Sequence, residues 1–357
     1  MFGGKIMKKF RKILALVLVA LLAVSLLAGC SSDSNSGSDN KTVSKAKPVI
    51  DINNGAACKM AYIPMGAGQE DFPVILKGMQ EAIALYPNIT LDTYDPGFNP
   101  NNQINLLNEC ITQGVNVIFI NSMDATALNS TIAAAEEAGI VVISINNGCS
   151  GVHTAHIQNT TYDAGYEAAE YLSTLVPAGA KTVILDVAAE LKPTCTMGQG
   201  FEDYATKTGA FEIMEDYAQS ITSIEVGYQA ASEVLTKYKD VQVLYCVNDN
   251  TAIGAAQAIE AAGRQDDGII IWGYSGTPAA LDAIAQGKIV GTSYSDPFYE
   301  GYAAMVSAMN YVQLGVTGHN LGNEFFANVL LPTKNVTIDN VLDTIRGTHW
   351  DMSAYNY

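Results

Sequence analysis

The chain has 357 residues, 48% of them hydrophobic, and a formal net charge of −17. Its first thirty residues hold five basic groups and no acid, which takes the −17 to −22 over the remainder. A field of that sign opposes binding to nucleic acid and to anionic lipid surfaces alike.

In chain order, Lys5, Lys8, Lys9, Arg11 and Lys12 precede an uncharged run from Ile13 to Ala28. The run closes on Leu27-Ala28-Gly29-Cys30, small residues with a cysteine after the cut. This reads as a secretory signal of the bacterial lipoprotein type over residues 1–29. It is short for a transmembrane span, which needs about 20 apolar residues. A cleaved signal and a retained anchor both put the rest of the chain outside the cytoplasm. Lipidation at Cys30 with two acyl chains would give stable anchoring where one chain would not. The Ser-, Asn- and Asp-rich stretch that follows is too polar to bury a core, so residues 30–56 are expected to form a flexible tether.

About 300 residues remain, enough for one domain or two. Cys58, Cys110, Cys149, Cys195 and Cys246 are an odd number and form no C-x-x-C motif, so reduced thiols are expected. Short apolar, β-branched runs then recur as buried strands: 59–64, 89–95, 115–121, 140–145, 182–187, 211–217, 241–247, 269–274 and 289–294. Between most of them lie helical stretches with start signals. Asn99-Pro100, Asp124, Asp249 and Thr277-Pro278 open helices, and Gly139, Gly263 and Gly287 close them. Strand–helix alternation with both faces covered predicts parallel sheets of the α/β class. The strands are too many for one ordinary sheet, and the beat breaks over residues 147–161. Two similar sheets are therefore expected, with function carried by residues just after the strands.

The chemistry of catalysis is poorly represented. His153, His156, His319 and His349 lack metal-ligand spacing, and His153 and His156 read as surface residues. There is no G-x-S-x-G elbow and no P-loop, and Gly66-Ala67-Gly68 lacks the third glycine of a dinucleotide turn. No cofactor, metal or enzymatic activity is expected.

Six segments, in order, resemble the periplasmic sugar-binding proteins of the ribose/galactose type, the solute-binding proteins of ABC importers. They are Gly139–Asn147 for "G-I-P-V-I-x-x-D-R", Met197–Phe201 for "R-G-x-G-F" and Val247–Ala255 around "N-D-x-x-A-x-G-A". Trp272–Pro278 follows for "G-F-D-G-T-P", then Gly291–Pro297 for "A-T-x-x-Q-x-P" and Pro332–Val336 for the closing "v-t-k-e-N-v". The resemblance implies two Rossmann-like lobes, three hinge crossovers and a ligand cleft between the lobes. It implies an N-terminal lobe of residues 57–159 with 296–327 and a C-terminal lobe of 160–295 with 328–357.

The departures are informative. The family's sugar-clamping Asp and Arg after the fourth strand are Asn146 and Asn147 here, and its Arg before Gly-x-Gly-Phe is Met197. Ser275, beside Tyr274, replaces an Asp; Ser295 replaces a Gln; and Thr160-Thr161 replaces an Asp-Asn pair. Ile221-Thr222 stands about where an aromatic would stack, and Asn248 persists. In the first loop, Gln69-Glu70-Asp71-Phe72 replaces Asn-Pro-Phe-Phe. Phe72 offers an apolar wall, while Glu70 and Asp71 either face the ligand or cap the following helix. The expected binding set is Gln69, Asp71, Phe72, Asn146, Asn147, Met197, Asn248, Tyr274, Ser275 and Ser295. Charge-assisted hydrogen bonds are the strong ones, and this set has lost the family's arginines. It points to a neutral, sugar-like ligand, or to a cation if Asp71 faces inward. A monomer is expected, partnered by an ABC permease and held to the membrane through Cys30. A sensor presenting its ligand to a membrane receptor or kinase is the alternative.

Overall fold

The computed structural model describes residues 49–188, 195–219, 223–318, 327–355 and 357. From Ala46 to Tyr357 the chain is one compact unit. It holds two six-stranded sheets. The first uses β1 (Cys58–Ile63), β2 (Ile89–Thr93), β3 (Val117–Ile120), β4 (Val141–Ile145), β5 (Ala155–Asn159) and β11 (Ala327–Leu331), in the order β11-β5-β4-β3-β1-β2. The second uses β6 (Ala180–Val187), β7 (Phe211–Gln219), β8 (Val243–Cys246), β9 (Ile270–Ser275), β10 (Gly291–Tyr294) and β12 (Lys334–Thr337), in the order β12-β10-β9-β8-β6-β7. All pairings are parallel except that of β12 with β10. The two-lobed α/β architecture expected from the alternating pattern is the one observed.

The central strands carry continuous apolar runs because both faces are covered. Val117–Ile120 and Val141–Ile145 are buried along their whole length. The helices in the first lobe are α1 (Phe72–Ile83), α2 (Pro100–Gln113) and α3 (Asn129–Glu137). Those between β5 and β10 are α4 (Thr161–Leu172), α5 (Met197–Thr208), α6 (Ile224–Lys237), α7 (Asp249–Ala261) and α8 (Pro278–Ala285). After β10 come α9 (Pro297–Leu314) and α10 (Val341–Gly347).

The chain passes from one sheet to the other after β5, after β10 and after β11. Thr160 N donates to Leu331 O at 2.9 Å, so two of these passages lie side by side. Helix α9 returns to the first lobe and crosses α1 at backbone contact. A Cβ on Gly78 would lie 2.0 Å from Phe298 O, and one on Gly301 would lie 2.0 Å from Ile75 O. Only glycine permits that approach.

Several expectations are corrected. The tether ends before residue 50: Ile50 N donates to Val312 O, and Ile52 is buried in the first lobe's core. The third passage lies at Pro332-Thr333, because Ala327–Leu331 pairs in register with Ala155–Asn159 and so belongs to the first sheet. Asp124 caps a turn, accepting from Thr126 N and Ala127 N, and α3 begins only at Asn129. His153 and His156 are buried, not exposed, because Ser144 Oγ sits 2.7 Å from a ring nitrogen of each. That bond satisfies groups that would otherwise keep an imidazole at the surface. All five described cysteines are free; Cys58, Cys110, Cys149 and Cys246 are buried, and Cys195 is half-buried. Residues 1–29, Cys30, His319 and Ile221-Thr222 lie outside the described residues.

Candidate functional site at the carboxyl ends of the strands

In each sheet the order reverses beside one strand, β1 in the first and β6 in the second. Loops leaving the flanking strands there diverge and open a crevice. In the first lobe the loop after β1 carries Gln69 and Asp71 and leads into Phe72 at the start of α1. In the second, Val247-Asn248 follows β8. A buried glutamine braces the first lobe's rim. Gln103 Nε2 donates to Pro64 O (3.1 Å) and Asn121 O (2.7 Å), and its Oε1 accepts from Met123 N.

Asp71 stands at the start of α1 yet makes no capping hydrogen bond with its side chain. One carboxylate oxygen accepts from Asn146 Nδ2 at 3.3 Å; the other is shut off from solvent with no partner. Burial pushes this carboxyl up to about 6 against hydrogen bonds from its own backbone N–H and from Asn146. Phe72 stacks on Tyr62, with ring centroids 5.7 Å apart. Gln69 Oε1 and the Tyr62 hydroxyl are also shut off and unpartnered. Asn147 is engaged in its own lobe: its amide N–H donates to Asn121 Oδ1 and its side chain donates to Met65 Sδ at 3.4 Å.

Glu300 in the first turn of α9 is a buried acid that the sequence did not single out. It is 1% exposed, accepts from Asn159 Nδ2 through Oε1, and leaves Oε2 without a partner. Burial, then the charge of Asp71, pushes its carboxyl up to about 8. An acid in a helix's first turn ordinarily complements the dipole in solvent. The signal available in the sequence was its place three residues beyond the Asp296-Pro297 passage, one residue before the glycine that presses α9 onto α1.

The second lobe is arranged differently. Asn248 is the N-cap of α7, and its side-chain oxygen accepts from Asn250 N at 2.8 Å. Asp249 beside it is fully buried and accepts from Thr277 N (2.7 Å) and Thr292 Oγ1 (2.7 Å). It thereby ties the turn bearing Ser275 to β10. Burial still outweighs those bonds and raises its carboxyl to about 7. Tyr274 hydrogen-bonds Ser295, and burial, followed by the charge of Glu300, raises its phenol far above the usual range. Met197 is 4% exposed and belongs to the apolar cluster with Phe201, Tyr245 and Trp272. Its side chain is core, not part of the polar set.

Backbone strain marks the same rims. The only described non-glycine residues with positive φ are Phe98 (56°), Asn146 (60°) and Ser275 (115°). Asn146 and Ser275 come one from each lobe, at the ends of β4 and β9, and were both expected in the site. Such conformations cost of order 1–3 kcal/mol each and cluster at ligand sites. A separate groove, lined by Ile50, Val115, Ile140, Tyr311 and Val316, lies at the opposite, amino ends of β3 and β4.

Residues 60–316 match the family model of the periplasmic binding protein domain. The chain belongs to this family. Among curated members, the ribose import binding protein RbsB of Escherichia coli (strain K12) is 26% identical over 208 residues, 58% of this chain and 68% of that one. The fructose import binding protein FruE of Bifidobacterium longum (strain NCC 2705) is 27% identical over 79% of this chain and 84% of its own. Among solved structures, a periplasmic ribose ABC transporter protein from Conexibacter woesei superposes with a TM-score of 0.73 at 20% identity, covering 83% of this chain and 97% of that one. A solute-binding protein from Bacillus halodurans, solved with bound myo-inositol, gives 0.68 at 22% identity over 80% of this chain and 97% of its own. As a periplasmic binding protein the chain works outside the cytoplasm. No helix among the described residues is long and apolar enough to cross a membrane. No cluster of three or more potential metal ligands occurs among those residues either.

Proposed function

We propose that the chain is the ligand-capturing receptor of an ABC importer, held at the membrane by lipid on Cys30, and that it carries a small polar, sugar-like molecule to its permease as a monomer without chemical change. The site combines Gln69, Asp71, Phe72 and Asn146 of the first lobe, Asn248, Tyr274 and Ser275 of the second, and Ser295 with Glu300 at the passage between them. The observation that carries this reading is the pair of strained residues, Asn146 and Ser275, at the strand ends of the two lobes. Strain persists where the surroundings over-determine it, and a ligand held from both lobes gives it a use. Phe72 on Tyr62 supplies an apolar wall for the face of a ring. The names of relatives that import ribose and fructose support the ligand class.

A thermal-melt screen of pentoses, hexoses, polyols and their amino derivatives, followed by small-angle scattering, tests it. A stabilising ligand should also reduce the radius of gyration, because residues of both lobes must close on it. A screen without any stabilising member, or a bound state with no compaction, would count against the receptor. Cys30→Ala should release the chain from membranes or leave it unprocessed. Unchanged fractionation and mature mass would refute the anchor.

A further inference from the structure

The first lobe holds a polar cluster with an imbalance that a neutral sugar does not explain. Asp71, Glu300 and Gln69 each bury an oxygen that has no donor. Tyr62, itself fully buried, ends in a hydroxyl that also lacks a partner, and the charges of both Asp71 and Glu300 act on it. Around this cluster only neutral groups donate: Asn146 and the Asp71 backbone N–H to Asp71, and Asn159 to Glu300. Among the described residues neither carboxylate has a Lys, Arg or His partner. The remaining ionisable neighbours are Glu70, Asp296 and Tyr274, none of which brings positive charge, and His349 is bonded to Asp296 rather than to Asp71 or Glu300.

Resting on the receptor reading above, we infer that the ligand brings the missing cation: it is a small polyhydroxylated amine whose ammonium group is seated between Asp71 and Glu300, with Tyr62 and Gln69 taking further donors. Two carboxylates shut away from water repel one another, and desolvation disfavours the charged form of each. Protons or a bound cation must offset them. The carboxyl groups are raised to about 6 and about 8, as expected of a site awaiting such a charge. A bound ammonium would supply three N–H donors to oxygens that now have none. A neutral sugar would supply hydroxyl donors but leave the charge uncompensated. An anion would be repelled outright. Asn146 and Asn147, where the resembling family places an acid and an arginine, leave no internal cation to compete with the ligand's own.

Matched pairs test this on the full chain: D-glucosamine against D-glucose, D-galactosamine against D-galactose, and D-glucamine against D-sorbitol, at a pH where the amines are charged. Thermal melts and calorimetry should find at least one amine bound about tenfold or more tightly than its neutral partner. Asp71→Asn and Glu300→Gln, isosteric and checked for folding by their unliganded melts, should each weaken that amine by on the order of thirtyfold or more, as expected when one member of a buried charge pair is removed. A neutral partner bound as tightly as its amine, or amine binding that survives both substitutions, overturns the inference and leaves the sugar receptor standing. If neither amines nor neutral sugars bind, the two readings fall together.

Discussion

The two lobes present opposite faces to the site. In the second lobe the amide and carboxylate after β8 are already engaged: Asn248 caps α7, and Asp249 holds Thr277 and Thr292, leaving the Tyr245 hydroxyl as a buried group without a partner. In the first lobe the acceptors of Asp71, Glu300 and Gln69 have no donor. The same residue type, a buried carboxylate, is scaffold in one lobe and, in the function proposed here, receptor in the other. Partners, not burial, make the difference. Removing a satisfied acceptor strands its donors, whereas neutralising an unsatisfied charge relieves the fold.

That contrast can be broken by stability measurements on unliganded protein. The largest effect should come from Asp249→Ala, which strands Thr277 N and Thr292 Oγ1 and should cost roughly 3–5 kcal/mol in denaturant melts. Glu300→Gln should do the reverse. The Glu300 carboxyl is raised from 4.5 to about 8, so its contribution is fully present below 4.5 and is lost as pH rises through 8. The parent should therefore lose about 2 kcal/mol from this group between pH 5.5 and 7.5, and the variant should not. A variant less stable than the parent at pH 8 would place Glu300 among the structural acids.

The acid side has the opposite sign and a similar size. His153 Nδ1–H donates to Gly151 O, which leaves Nε2 to accept from the Ser144 hydroxyl; Ser144 in turn accepts from His156. Burial holds His153 down to about 4 and lowers His156 as well. This contribution is complete above 6.5 and is lost as pH falls through 4. It should amount to about 2 kcal/mol by pH 5, visible in melts from pH 7 to 5. The smallest effect is at the second lobe's cap: Asn248→Ala should cost about 1 kcal/mol of stability. Its affinity loss, read by calorimetry, should be much smaller than that of Asp71→Asn. The reverse order would move the receptor role to the second lobe.

What the sequence made legible follows from which residues advertise their surroundings. Strands such as Val117–Ile120 announce burial through composition, and helix ends at Asn99, Gly139 and Gly263 through backbone chemistry. Ala155–Asn159 does not, because three of its five residues are His, Gln and Asn. Its burial depends on Ser144, a contact twelve residues back from His156. The edge strands Ala327–Leu331 and Lys334–Thr337 alternate weakly and are defined by their partners. Of the proposed site, Asn146, Asn248 and Ser275 are picked out by their positions after strands. Glu300 is not, since an acid in a first helical turn looks alike in solvent and at a passage between lobes. Met197 packs among Phe201, Tyr245 and Trp272, since a matched position does not fix where a side chain points.

The central claim is that the buried acceptors of the first lobe hold a small ligand. Native mass spectrometry of the full chain, incubated with a filtrate of small molecules from yeast extract, tests it whatever the compound's identity. A single adduct of one small molecule per chain is expected, depleted in the Asp71→Asn, Glu300→Gln double variant. A chain that remains bare, or an adduct undiminished in the double variant, would contradict it.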